Sequence, residues 1–297
     1  MRWKLALAAL GLLILNLLAA QFSKGILGPQ DWYMWTLVES RLRDGRLYEH
    51  GAGYFFVWSP LAAWILAYVI VPLGYPVFLA LHLLALAWLR SAALIGLALL
   101  SLPFWVDAIV GNAMVFVVVS GFAALGGSRV GTLVFLALCL LTPRPVQLPM
   151  LVWLLALRPS SRLPFALMAA LTILAAGGSG FLDDWLGVLV RFGTSQFSDS
   201  ANMSPTHWFG LAWLAIGIPL AIWLAGRNRL GLAGLALSPY VYPQYLLALL
   251  WEARSPGPSA QRLRSEAAPD RREAEDPLAD DEQRQERRSL PSWGEEG

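Results

Sequence analysis

The chain has 297 residues, 57% of them hydrophobic and only 14% charged, with 14 Trp, one Cys and a formal net charge of +2. That average joins two dissimilar stretches: residues 1–251 hold 14 Lys/Arg against 8 Asp/Glu, a net of +6, and residues 252–297 hold 8 Arg against 12 Asp/Glu, a net of −4. A soluble domain places charge at about a quarter of its positions, so this composition excludes that class, while the lone Cys139 excludes a disulfide scaffold and the missing basic surface domain excludes a nucleic-acid binder.

The composition predicts an all-α polytopic membrane bundle over 1–251 and a polar tail over 252–297. Arg2 and Lys4 followed by an apolar run to Ala20 fit a signal peptide loosely. Asn16 interrupts that run and many further apolar runs follow, so we read a retained first helix. The later runs are 58–72, 76–89, 92–106, 110–126, 130–142, 145–157, 163–178, 208–226 and 230–251. Several are short against the ~20 residues that a hydrocarbon core requires, so flanking Trp and Tyr or buried broken helices must make up the length.

Arginine parity orients the chain. With Arg2 and Lys4 cytoplasmic, residues 23–57 form the first outer loop. A full crossing by 58–72 would put Arg90, Arg129, Arg158, Arg162, Arg227 and Arg229 outside, leaving only Arg144 and Arg191 inside. If 58–72 dips in and returns, the distribution inverts, as the positive-inside rule requires. The run 58–72 is therefore expected to be re-entrant or interfacial, with about nine crossings elsewhere. The runs 130–142 and 145–157 keep the same parity as two crossings or as a buried hairpin. All eight acids before residue 252 then fall on the outer face, which includes a second long loop at 179–207.

Candidate chemistry collects in those outer segments. Trp32, Trp35, Val38 and Leu42 recur at helical spacing, predicting an amphipathic helix at the interface with its Trp at headgroup depth. Asp31 heads that helix, as an N-cap, as a general base at the membrane surface, or as both. The aromatic patch Gly53–Leu61 reads as an anchor or as part of a site. Asp107 and Asn112 stand at the outer end of two spans, solvated or functional. Arg144, between Pro143 and Pro145, is placed to snorkel or to meet a phosphate. The loop 179–207 adds Asp183, Asp184, Arg191, Asn202 and His207, and Ser238–Tyr245 breaks the last apolar run with two prolines and three tyrosines. No HExxH, Walker A, CxxC or GxSxG motif occurs. His82, inside an apolar span, is expected to bond a neighbouring helix.

The order of these patches resembles the GT-C class of integral membrane glycosyltransferases, and glycosyltransferase family 87 most closely. The matching elements are Asp31-Trp32-Tyr33, Gly45-Arg46-Leu47-Tyr48, Phe56-Val57-Trp58-Ser59-Pro60-Leu61, Gly111-Asn112 in place of Gly-Gln-x-Asn, Arg144-Pro145 in place of Lys-Pro, and Ser238-Pro239. The chain is shorter than longer members of that family after the Ser-Pro element. The resemblance covers roughly residues 1–251 and implies a membrane-embedded, non-crossing helix in the first outer loop. It also implies inverting transfer of a hexose, mannose first, from a polyprenyl-phosphate donor to a lipid or glycan acceptor on the outer face of the plasma membrane.

A phosphate ester is a good leaving group, so such a transfer needs a base but no general acid. Asp31 is the expected base. Arg144, with Arg191 and His207 behind it, is expected to hold the donor phosphate. Tyr33, Tyr48, Trp58, Asp107, Asn112 and Tyr240 are the expected substrate contacts. No metal ligand set is assigned; a divalent metal at Asp107 is the alternative to a sugar hydroxyl there. The rival classes are a secondary transporter and a non-catalytic scaffold of lipid-linked sugar assembly. The tail is too polar to order alone, with opposite charges three and four apart favouring a short helix around 279–288. It lies outside if 230–251 crosses once, or returns to the cytoplasm if the chain breaks at Pro239–Pro243.

Overall fold

The computed structural model of the protein describes residues 2–23, 29–49, 56–195 and 201–254. Gly53, Tyr54 and Phe55 of the aromatic patch, Asp199, and the tail beyond Arg254 with its expected helix lie outside the described residues. Among the described residues every regular element is helical.

Helix α1 (Arg2–Phe22) is the continuous apolar helix expected at the start. The single amphipathic helix expected after it is instead two short ones, α2 (Gln30–Thr36) and α3 (Val38–Arg43), joined at Leu37. The stripe Trp32, Trp35, Val38 and Leu42 is buried, as its spacing required. It does not face headgroups, however. Trp35 packs against Trp58 and Phe78 with ring centroids 5.0 and 5.1 Å away, and Trp32 lies 5.2 Å from Phe78. Aromatic faces supplied by neighbouring elements give these indoles more contact than an interface would.

Helix α4 (Pro60–Leu73) starts from Ser59, whose Oγ accepts from Ala62 N, with Pro60 at the favoured first position. It passes through a π-helical turn at Leu66–Ile70 and stops at Gly74, where φ is +83°. Helix α5 (Tyr75–Leu89) leaves at 100° to it. The expected run 92–106 also breaks, into α6 (Ala92–Leu99) and α7 (Leu102–Val110), bent by 68°. Asn16 explains how that break is tolerated. Its Nδ2 donates to Leu100 O at 3.1 Å and its Oδ1 accepts from Leu102 N at 2.8 Å, pairing the backbone groups that the break frees.

The centre is α8 (Met114–Leu125), buried on all sides. At about 18 Å it is too short for the ~30 Å hydrocarbon core, and its all-round apolar surface is that of a core helix. It pairs with α9 (Arg129–Leu141), where a Cβ added to Gly131 would stand 2.6 Å from Ala123 Cβ. After Pro143 come α10 (Pro145–Leu157) and α11 (Pro159–Gly178). The stretch expected to be the second outer loop holds a helix, α12 (Leu182–Ser195), with Trp185 and Val188 buried and Trp185 Nε1 donating to Val57 O at 3.3 Å. Among the described residues, α11 and α13 (Thr206–Gly226) are the two helices long and apolar enough to cross a membrane, or up to four if each bent pair is one span. The nine crossings expected from the apolar runs are not reached by helix length, because several runs are bent or form interior helices.

The last apolar run is a hairpin. Helix α14 (Leu230–Leu237) leads to a turn at Ser238–Tyr242, and a 3-10 helix over Pro243–Ala253 returns beside it. Leu232 N donates to Glu252 Oε1 at 3.0 Å, and Arg229 Nη1 lies 3.5 Å from Glu252 Oε2. Gly231 permits this approach, since a Cβ there would meet Ala248 O at 2.2 Å. Of the two expected courses, the chain takes the break at Pro239–Pro243, so Arg229 and Glu252 share one end of the bundle.

Candidate active site

Helix α7 ends at Gly111, where φ is +83° and an added Cβ would stand 2.8 Å from Trp32 Cβ and 3.0 Å from Trp32 N. Only glycine meets both demands. The start of α2 therefore lies directly against the Gly111-Asn112 turn, and Asn112 Nδ2 donates to Asp31 Oδ2 at 2.7 Å. Asn112 Oδ1 accepts from Ala113 N at 2.7 Å and from Arg144 Nη2 at 2.8 Å. Two donors on that oxygen fix the amide, so its NH2 group must face the carboxylate.

Arg144 sits in the extended break between Pro143 and Pro145. Its own N–H donates to Gln147 Oε1 at 3.1 Å, and Gln147 Nε2 donates to Thr142 O at 3.2 Å, closing the turn. Arg144 as a whole is 6% exposed, which excludes snorkelling. Nη1 donates to Thr142 Oγ1 at 2.7 Å and to Thr142 O at 3.3 Å, and the group stands 5.3 Å from the Trp58 ring centroid. Its charge also acts on the nearby Tyr245 hydroxyl. An Arg144–Asn112–Asp31 chain thus crosses the site, with Trp58 on one side and Tyr245 on another.

Asp31 is half-buried and is not the expected N-cap, for Pro29 holds that position and no side chain caps α2. Burial pushes its carboxyl from an ordinary 3.8 up to about 6, with Asp107 adding to the rise, against the lowering pull of the Asn112 hydrogen bond and the Arg144 charge. Among the described residues Asp31 Oδ1 has no hydrogen-bond partner, so one oxygen is held and one is open.

The other expected site residues divide. Tyr240 is buried, its ring 6.2 Å from that of Tyr245. Asn202 ties its turn down: Oδ1 accepts from Ser204 N and Val241 N, both at 2.9 Å, while Ser204 Oγ donates to Ser238 O at 2.9 Å and Thr206 Oγ1 to Pro239 O. Tyr48 supports the site from behind, its hydroxyl donating to Trp58 O at 2.7 Å. Asp107 is fully buried, and both oxygens accept from the backbone, Oδ1 from Met114 N at 3.1 Å and Oδ2 from Val115 N at 2.7 Å. It caps α8 and offers nothing to a sugar or metal. Tyr33 points outward at 65% exposure. Arg191 is exposed on α12, with Nε donating to Gly187 O, and His207 packs edge-on against Trp208. The chain contacts above do not bring these three together with Asp31. Tyr245 and Thr142 are the partners that sequence reasoning did not single out; the polar Thr before Pro143 and the third tyrosine of the broken run were the available signals.

Among the described residues no three His, Cys, Asp or Glu side chains group to hold a metal ion. The lone open carboxylate oxygen of Asp31 does not fit a divalent cation's needs. Comparison with protein-family models, curated proteins and solved structures found no match to this chain.

Proposed function

We propose that this chain is a membrane glycosyltransferase of the GT-C type that moves a hexose, mannose first, from a polyprenyl-phosphate donor to a lipid or glycan hydroxyl on the outer face, with inversion. One observation carries this reading: Asp31 has one oxygen fixed by Asn112, one oxygen open, and a buried cation one residue further along the chain of bonds. The ordered patches that resemble family 87 supply several members of this cluster, and α4's sharp departure from α5 suits a helix that does not cross.

The acceptor oxygen attacks the anomeric carbon while its proton passes to Asp31 Oδ1. The anomeric C–O bond breaks with its electron pair, which leaves as the phosphate ester anion. A carboxyl at about 6 is ionised at neutral pH yet more basic than an ordinary aspartate, which suits a base working there. Arg144 already serves Thr142 and Asn112, so it acts on the donor phosphate through charge more than through a free fork.

The test is transfer from a panel of polyprenyl-phosphate sugars to lipid and glycan acceptors by purified protein in nanodiscs. Wild type is expected to transfer from at least one donor, and Asp31→Asn to lose at least 100-fold, an order-of-magnitude expectation for removing the base. Retained transfer in that variant removes Asp31 as the base. Solute flux through liposomes without any transfer would replace the enzyme reading with a transporter.

A further inference from the structure

Behind Asn112 lies a buried pair that the proposed chemistry does not use. His82, on α5, and Asp107, on α7, are both fully buried. Asp107 closes the whole turn that carries Asn112. Its carbonyl accepts from Gly111 N at 3.2 Å and Asn112 N at 2.9 Å, and its carboxylate takes Met114 N and Val115 N. His82 clamps the same turn from the neighbouring helix: Nε2 lies 2.9 Å from Asn112 O and 3.5 Å from Asp107 Oδ2, while Nδ1 lies 2.9 Å from Phe78 O.

Carbonyl oxygens only accept, and each ring nitrogen faces one. Both nitrogens must therefore carry a proton, which makes the ring an imidazolium balanced by the Asp107 carboxylate. Phe78 and Phe116 enclose it edge-on, with centroids 4.5 and 4.7 Å away. A buried ion pair is costly to form and more costly to break singly, so its retention at this turn calls for a reason beyond packing.

We propose that His82 and Asp107 are positioning residues: a buried imidazolium–carboxylate clamp that fixes the Gly111-Asn112 turn and so aims the Asn112 amide at Asp31. This rests on the reading of Asp31 as the base. The clamp tunes that base without touching substrate. The charged and titratable groups facing Asp31 are Arg144 and Asp107, with Tyr245 close by; the one facing His82 is Asp107. Asn112 lowers the Asp31 proton affinity, so loosening its turn must raise it.

The readout is the Asp31 carboxylic-acid band in infrared spectra, identified by its loss in Asp31→Asn and titrated against pH in nanodiscs. Wild type is expected to titrate near 6. His82→Gln, which keeps one donor toward Asn112 O but no charge, is expected to move the midpoint up by about one unit. The acid limb of the transfer rate should move with it, the alkaline plateau remaining. A lower melting temperature with an unmoved midpoint means a merely structural pair and overturns the proposal. A moved midpoint in a protein that transfers no sugar overturns the glycosyltransferase reading and leaves the clamp standing. If His82→Gln does not fold, nitrogen NMR of the His50→Gln/His207→Gln protein, where His82 is the sole histidine, reads the ring directly. Two protonated nitrogens at neutral pH are expected, and a neutral ring overturns the clamp.

Discussion

Asp31 is where the proposed function and stability pull apart. The folded protein holds its proton more tightly than the unfolded chain does, since its carboxyl rises from 3.8 to about 6. Stability that is full below pH about 4 therefore falls as pH climbs to about 6, and stays lost above it. Asp31→Asn removes that loss while Asn112 can still donate to the new amide oxygen. It is expected to stabilise the protein at pH 7.5 by up to about 3 kcal/mol, an upper figure for a half-buried group, read as a higher melting temperature with transfer abolished. For the proposed transfer, the same carboxyl is expected to set the pH profile: the rate should rise through an apparent pKa of about 6 to a plateau. Removing the Arg144 charge removes a force that holds the Asp31 carboxyl down, so Arg144→Ala should shift that limb to higher pH as well as weaken donor binding. An unshifted limb with weakened binding would confine Arg144 to the donor.

At the scale of elements, the site is assembled from breaks. Asp31 heads a short helix, Asn112 follows the left-handed end of α7, Arg144 stands between two prolines, and Tyr245 follows the turn at Ser238–Tyr242. Such breaks free backbone groups that hydrocarbon cannot satisfy, and in the last three a polar side chain answers: Asp107 for Met114 and Val115, Gln147 for Thr142 and Arg144, Asn202 for Val241. Asn16 does this for the α6–α7 bend, away from the Asp31 chain. Asn16→Leu leaves Leu100 O and Leu102 N unpaired and should cost about 2 kcal/mol of stability. Because α7 carries Asp107 and leads into Asn112, transfer should fall as well, and thermal melts paired with initial rates check both. An unchanged melt would show that the bend holds without its clasp.

For the molecule as a whole, the returning hairpin over 230–253 puts the start of the polar tail at the Arg229 end of the bundle. Single cysteines at positions 227 and 254, in a Cys139→Ala background, are accordingly expected to react with an impermeant maleimide from the same side of sealed vesicles. A cysteine at Tyr33, beside Asp31, should react from the opposite side. Labelling of 227 and 254 from opposite sides would mean that the last run crosses once.

Much of this was legible one residue at a time. The apolar composition, the buried stripe Trp32–Trp35–Val38–Leu42, and Asp31, Asn112 and Arg144 as polar groups in need of partners can be read from residue type and spacing, because periodicity and unsatisfied charge are local properties. The expectation that 58–72 is not a plain crossing comes instead from arginine parity along the chain. Other features depend on partners distant in the chain. Whether Trp35 meets lipid or Trp58, whether Asp107 binds a ligand or caps α8, and whether residues 230–251 cross or return are settled only when helices pack. A hydrogen-bonding side chain advertises that it needs a partner, and the sequence by itself determined which residues have that need. Only the tertiary structure decided which partner each one found: Asn112 is 81 positions from Asp31 and 32 from Arg144, yet its one amide joins the two.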